Sequence, residues 1–249
     1  MFWFRWDAKE WRIWRDTYLQ PPALFHQLVI RGSAYDELLS HSREQAPNLS
    51  GRLLRRLWFW PRIEEAAAWA QAAETGYRSP HNYLRTEPTR PAQWLIDNYA
   101  RDFSVLELAC NSGSDLDFVR RAGFHDLRGV DASASALNLF RETFPETWSH
   151  SQVSHDLFQR FLTEQRSNSV DVLYSNGAAI ELVHPSFPIA REMCRVTRKA
   201  ILLELNPRNT GYPRKYIRQF TKGGFRVSYS TADSDPVTGS HLYELKSIT

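Results

Sequence analysis

The sequence predicts an α/β fold, a mostly parallel, doubly wound sheet with an antiparallel C-terminal strand, preceded by a helical N-terminal cap. Three observations predict it. From Ser104 onward, short runs rich in Val, Leu and Ile alternate with helical segments, the pattern of parallel βαβ units. The last two runs follow a helix and are joined by a polar connection containing Gly and Pro, which turns the final strand antiparallel. Finally, eight of the nine tryptophans lie in the first hundred residues, and only Trp148 lies beyond.

The 249 residues therefore divide near residue 100, into a helical, Trp-rich region 1–100 and a core 101–249. In the first part Trp11, Trp14 and Tyr18 share one helical face before the Pro21-Pro22 stop. Residues 51–60 alternate basic and apolar side chains at helical spacing up to Pro61. Residues 63–74, with six alanines, are the strongest helix former of the chain and end before Gly76. A loop over 77–91 and a helix over about 92–100 complete this part. In the core, strands are expected over 105–109, 127–130, 148–153, 170–174 and 200–205. Helices are expected over 115–122, 135–143, 158–165 and 187–197. A helix over about 213–222 and strands starting at Phe225 and His241 close the chain.

Composition removes several function classes. The hydrophobic share of 42% and charged share of 24% are globular, and no stretch reaches the ~20 apolar residues of a membrane span. Cys110 and Cys194 are too few for a disulfide framework or a zinc site, and no acidic cluster has metal-ligand spacing, so no metal is expected. A net charge of +3, with no basic stripe, carries no strong nucleic-acid signal. The N-terminus has Arg5 and Asp7 within its first seven residues and no apolar signal core, so a cytoplasmic, reduced protein is expected.

In an open α/β sheet the ligand site lies beyond the carboxyl ends of the strands. The first such turn reads Glu107-Leu-Ala-Cys-Asn-Ser-Gly. A dinucleotide fingerprint would need glycine at 109, 111 and 114, and the chain has none of them, which argues against a pyrophosphate cradle. The turn resembles motif I of the class I (Rossmann-like) S-adenosylmethionine-dependent methyltransferases, an acid followed by G-x-G-x-G. Glu107 and Gly113 match it, Ala109 is a small substitute, and Asn111 departs from the second glycine. Both departures suit the backbone requirement, since small residues let the main chain approach a ligand and Asn tolerates positive φ. The ordered stations that follow extend the resemblance over about 104–245, and it implies seven strands.

The resemblance implies S-adenosylmethionine as cofactor and S-adenosylhomocysteine as product. It also implies cofactor contacts along the loop Ala109, Cys110, Asn111 and Gly113. Asp131, with Ala132 beside it, would accept the ribose hydroxyls; Asp156 and Leu157 would meet the adenine; Ser175 and Asn176 correspond to motif IV. Tyr83 and Arg90, upstream of motif I, would close over the cofactor, the arginine on its carboxylate. For the methyl acceptor, Glu181 and His184 are the candidate catalytic groups, His184 as general base, because the His-His pair common at 180 and 181 in small-molecule enzymes is absent. Each assignment has a plainer competitor. Glu107 could be an ordinary acid beside a βα turn, Asp131 and Asp156 could be helix caps, Cys110 a packing residue and His184 a surface histidine.

These observations read as a methyltransferase acting on a hydroxyl or amine of a small molecule or glycan precursor. The rival reading is a catalytically silent methyltransferase-like module whose N-terminal half binds a protein or a membrane. The Trp- and Arg-rich segments 2–18 and 52–60 admit helix packing or a homo-oligomer interface, a membrane-surface face, or polyanion binding.

Overall fold

A computed structural model describes residues 79–176, 183, 187–205, 216–232 and 240–248, all within one compact unit, Trp69–Thr249. The expected helices before residue 79 and the catalytic candidates Glu181 and His184 lie outside the described residues. A 3₁₀ turn, Pro80–Tyr83, leads to α1 (Arg90–Asn98). The core then runs β1 (Val105–Leu108), α2 (Ser114–Arg121), β2 (Leu127–Asp131), α3 (Ala134–Thr143), α4 (Pro145–Ser149) and β3 (Ser151–His155). It continues with α5 (Phe158–Glu164), β4 (Val170–Ser175), α6 (Ile189–Val196) and β5 (Thr197–Leu205). It ends with α7 (Tyr216–Lys222), β6 (Phe225–Ser230) and β7 (His241–Ser247).

The seven strands form one sheet in the order β3-β2-β1-β4-β5-β7-β6. The first five are parallel, and β7 runs antiparallel to both β5 and β6. The central β1 and β4 are buried along their whole length, which is why they are mostly apolar, with Glu107 of β1 and Asp171 of β4 as buried acids. Alternate positions of each strand feed two layers. Val105, Val172, Tyr174, Ala200 and Leu202 pack with Ala92 and Leu95 of α1, Leu116 and Val119 of α2, and Leu137 and Phe140 of α3. Leu106, Leu108, Leu173, Ile201 and Leu203 are buried on the intervening positions. Among the described residues no helix is long and apolar enough to cross a membrane.

Two expectations about element boundaries change. The strand expected from Trp148 begins at Ser151, because Pro145 starts a short helix that carries Trp148 onto the Phe140 ring, with centroids 5.4 Å apart. The helix expected to run to Thr197 stops at Val196, and the chain enters β5 at Thr197 without a connecting turn.

The helix α1 is fixed to the far side of the sheet by a buried carboxylate. Glu244 Oε1 accepts from Trp94 Nε1 (3.1 Å) and from the Tyr99 hydroxyl (2.6 Å), while Oε2 accepts from Ser228 Oγ (2.5 Å) and lies 3.3 Å from Lys246 Nζ. Trp94 also stacks on Tyr229, with centroids 4.0 Å apart. Replacing Glu244 by Ala strands these donors, so urea denaturation should show a loss of about 2–4 kcal/mol. Glu244→Gln, which keeps an acceptor, should lose less.

Candidate active site

Parallel strands in register end on one edge, and here that edge gathers the motif. Glu107 pairs with Gly129 of β2 on one side and Tyr174 of β4 on the other. After β1 the chain turns through Ala109 (φ 65°), Asn111 (φ 45°) and Gly113 (φ 75°). Three left-handed residues in five cost backbone energy at the two that bear a Cβ, about 1–2 kcal/mol each, so the loop must be held from outside. It is. The Ala109 and Cys110 amides both donate to the Val130 carbonyl (2.9 and 3.2 Å), and Asn111 N donates to Asp131 Oδ2 (3.0 Å). Asn111 Oδ1 in turn accepts from Ser112 N (2.8 Å). At Gly113 a Cβ would stand 2.2 Å from the Phe140 ring, so sterics and backbone both demand glycine.

Asp131 is buried, and its second oxygen accepts from Ser133 N (2.8 Å). The N-cap of α3 is Ser133, whose Oγ accepts from Ala136 N (3.2 Å). Asp131 therefore joins the tip of the β1 loop to the start of α3. Burial raises its pKa, opposed by the backbone N–H groups.

Glu107 is buried with only 4% of its surface exposed, and the Tyr174 hydroxyl donates to its Oε2 (2.9 Å). Burial pushes its carboxyl well above the ordinary range; Asp115 and Asp131 push the same way, while the Tyr174 bond and Arg85 oppose. Burial likewise holds the Tyr174 hydroxyl and the Cys110 thiol protonated, which makes Cys110 a packing residue whose side chain abuts Gly129.

The third acid, Asp115, lies in the first turn of α2. It accepts from Thr89 N (2.9 Å) and Thr89 Oγ1 (2.6 Å). Beside it Ser114 Oγ donates to the Tyr83 carbonyl and accepts from Arg85 N, both at 3.2 Å. These four bonds fasten residues 83–89 to the start of α2. Half-buried Tyr83 and exposed Arg85 thus stand at the acids, and the Arg85 charge lowers the carboxyls of both Glu107 and Asp115.

Arg90, next to Thr89, is engaged by a fourth acid of the same edge, Glu204, whose charge also acts on Asp115. Its Nη2 is 2.7 Å from Glu204 Oε1 and 2.9 Å from the Ser240 carbonyl, at the ends of β5 and β7. Asp156 receives Leu157 N (2.7 Å) and Arg160 Nη2 (2.5 Å) on Oδ1, while its own N–H donates to the Asp131 carbonyl (3.0 Å). The Ala132 carbonyl bonds His155 Nε2 (3.1 Å). Ser175 is fully buried and donates to the Leu108 carbonyl (2.9 Å), and Asn176 is exposed after it.

The structure brings together Glu107, Ala109, Asn111, Gly113, Asp131 and, through the strapped segment, Tyr83. Sequence reasoning missed Arg85, Thr89, Asp115 and Tyr174. It also missed Ser112, whose hydroxyl is buried and bonded to no protein group. Arg85 was signalled by its place two residues after Tyr83; nothing local signals the pairing of Thr89 with Asp115. Among the described residues no His, Cys, Asp and Glu cluster could hold a metal ion.

Residues 105–200 match a family described as a methyltransferase domain. No curated protein sequence matches the chain. The fold is shared with solved structures at low identity. A TehB-like SAM-dependent methyltransferase from Corynebacterium glutamicum is 13% identical, with a TM-score of 0.54 over 74% of this chain and 96% of that one. The complex of the Haloferax volcanii Trm112 methyltransferase activator with a methyltransferase gives 15% and 0.52, over 75% and 98%. Magnesium protoporphyrin IX methyltransferase from Synechocystis, with bound SAM, gives 14% and 0.51, over 79% and 96%.

Two outcomes follow from this geometry. Gly113→Ala should cost about 2–4 kcal/mol in urea denaturation, from the left-handed backbone and the Phe140 clash together. Glu107 binds its proton more tightly folded than unfolded, so its contribution to stability falls as pH rises from the ordinary carboxylate range through its raised pKa. Glu107→Gln should therefore raise the Tm of the ligand-free protein at pH 8 more than at pH 5, read by calorimetry.

Proposed function

We propose that the chain is a class I S-adenosylmethionine-dependent methyltransferase that methylates a hydroxyl or amine of a small molecule or glycan precursor, a reading supported by the methyltransferase-domain match over residues 105–200. The observation that supports the site assignment is the set of acceptors gathered at the ends of β1 and β2 and the start of α2. Three buried acids and a close-approach loop suit a ligand with cationic centres and a ribose, and not a pyrophosphate. The orphaned Ser112 hydroxyl in the same loop fits a ligand that completes it.

In this reading Asp131 holds the ribose hydroxyls with the lone pairs left by Asn111 N and Ser133 N. Glu107 faces the ammonium group. Arg85, rather than Arg90, pairs with the carboxylate, since Arg90 is engaged by Glu204 and Ser240. Tyr83 covers the methionine end, and Asp156 and Leu157 meet the adenine. When bound, the cofactor supplies a methyl group activated by its sulfonium. The protein's task is to align the acceptor past β4, beyond Ser175 and Asn176, and to take its proton. We assign that proton to His184, with Glu181 as second candidate. Residues 1–100 would supply the acceptor pocket and any subunit or membrane-surface contact.

Calorimetric titration with S-adenosylhomocysteine tests the cofactor site. Binding is expected, and a folded protein that binds none at millimolar ligand would sink the enzyme reading. Asp131→Ala should weaken binding by roughly 100-fold or more, the worth of two hydrogen bonds to a charged group. Arg85→Ala should weaken it about tenfold, whereas Arg90→Ala should leave affinity within about twofold. The reverse order would return the carboxylate to Arg90.

A further inference from the structure

Glu107 combines features that conflict. It is 4% exposed, and among the described residues its hydrogen-bond donor is the neutral Tyr174 hydroxyl, 2.9 Å from Oε2. The charged and titratable groups that face it come from every surrounding element. They are Asp115 of α2, Asp131 at the end of β2, Tyr174 of β4, Cys110 of the loop and Arg85 of the strapped segment. Asp131 has two backbone N–H donors and Asp115 has a backbone N–H and a hydroxyl. Among the described residues no backbone N–H donates to Glu107. Of the three acids it is therefore the one least able to carry charge unaided. Among the described residues the cation that acts on it is Arg85, which sits on an exposed side chain and is shared with Asp115.

We infer that Glu107 is the proton-exchanging group of this pocket: it is neutral when the pocket is empty and gives up its proton when the ammonium of the cofactor or product arrives. The carboxyl O–H bond breaks, the electron pair stays on the carboxylate, and the proton leaves to solvent. The Tyr174 hydroxyl remains a donor to the new anion, and the ammonium replaces the lost positive charge. Ligand capture is thereby coupled to pH, tightening as pH rises while the ligand amine stays protonated. On the same loop the Ser112 hydroxyl is buried without a hydrogen-bond partner, a polar group that a ligand at the loop could satisfy. The inference rests on the cofactor reading above.

Titration with S-adenosylhomocysteine at pH 6.5, in buffers of different ionisation enthalpy such as phosphate and imidazole, counts the protons released. The wild type should release close to one proton more than Glu107→Gln. Its affinity should rise by up to tenfold between pH 5.5 and 6.5, with a flatter profile in the variant. Tyr174→Phe keeps the acid and removes its donor, so its proton release should move to higher pH; circular dichroism establishes that each variant is folded. No binding by the wild type would overturn the cofactor reading itself. Binding with the same heat in both buffers would leave that reading standing and overturn this one, as would undiminished proton release by folded Glu107→Gln.

Discussion

The carboxylate of Asp131 holds the working edge of the sheet in shape. One oxygen takes the amide of Asn111 and the other the amide of Ser133. The β1 loop, with three left-handed residues, and the start of α3 are thus fastened to one point at the end of β2. Asp131 thereby opposes the cost of left-handed backbone at Asn111, as the Val130 carbonyl does at Ala109. Phe140 reaches the underside of Gly113 from α3, so the cap that starts α3 also sets the clearance of the loop above it.

The same edge stores electrostatic cost. Parallel register places Glu107 and Asp131 at neighbouring strand ends, and the short turn into α2 adds Asp115. Each is raised by burial. A scaffold selected for stability alone would neutralise these positions, and strained or destabilised groups concentrate where a ligand relieves them. The Thr89 and Ser114 bonds to the approach segment are the counterpart on the other side of the pocket. They deliver Arg85 to the acids while Arg90, five residues on, is held by Glu204.

Much of the fold was legible because its cause is local. The mostly apolar runs at β1 and β4 reflect burial on both faces, and helices α2 and α3 show their faces in residue spacing. The order Glu107, Gly113, Asp131 was visible because the βαβ unit fixes those distances along the chain. Legibility failed where a short proline-initiated helix displaced the start of β3. The approach segment was not legible, because the bonds that fasten it to α2, Thr89 to Asp115 and Ser114 to Tyr83 and Arg85, join residues 26 to 31 positions apart.

The sequence by itself determined the class of fold and the order of Glu107, Gly113 and Asp131 along one sheet edge, since both follow from periodicity and from a motif shorter than one βαβ unit. Only the tertiary structure decided which arginine stands by those acids, that Asp131 braces the loop, and that Glu107 lies buried with a tyrosine hydroxyl beside it. Those facts depend on contacts between residues 20 to 67 positions apart. Such contacts are set by strand register and helix packing, which no local spacing encodes.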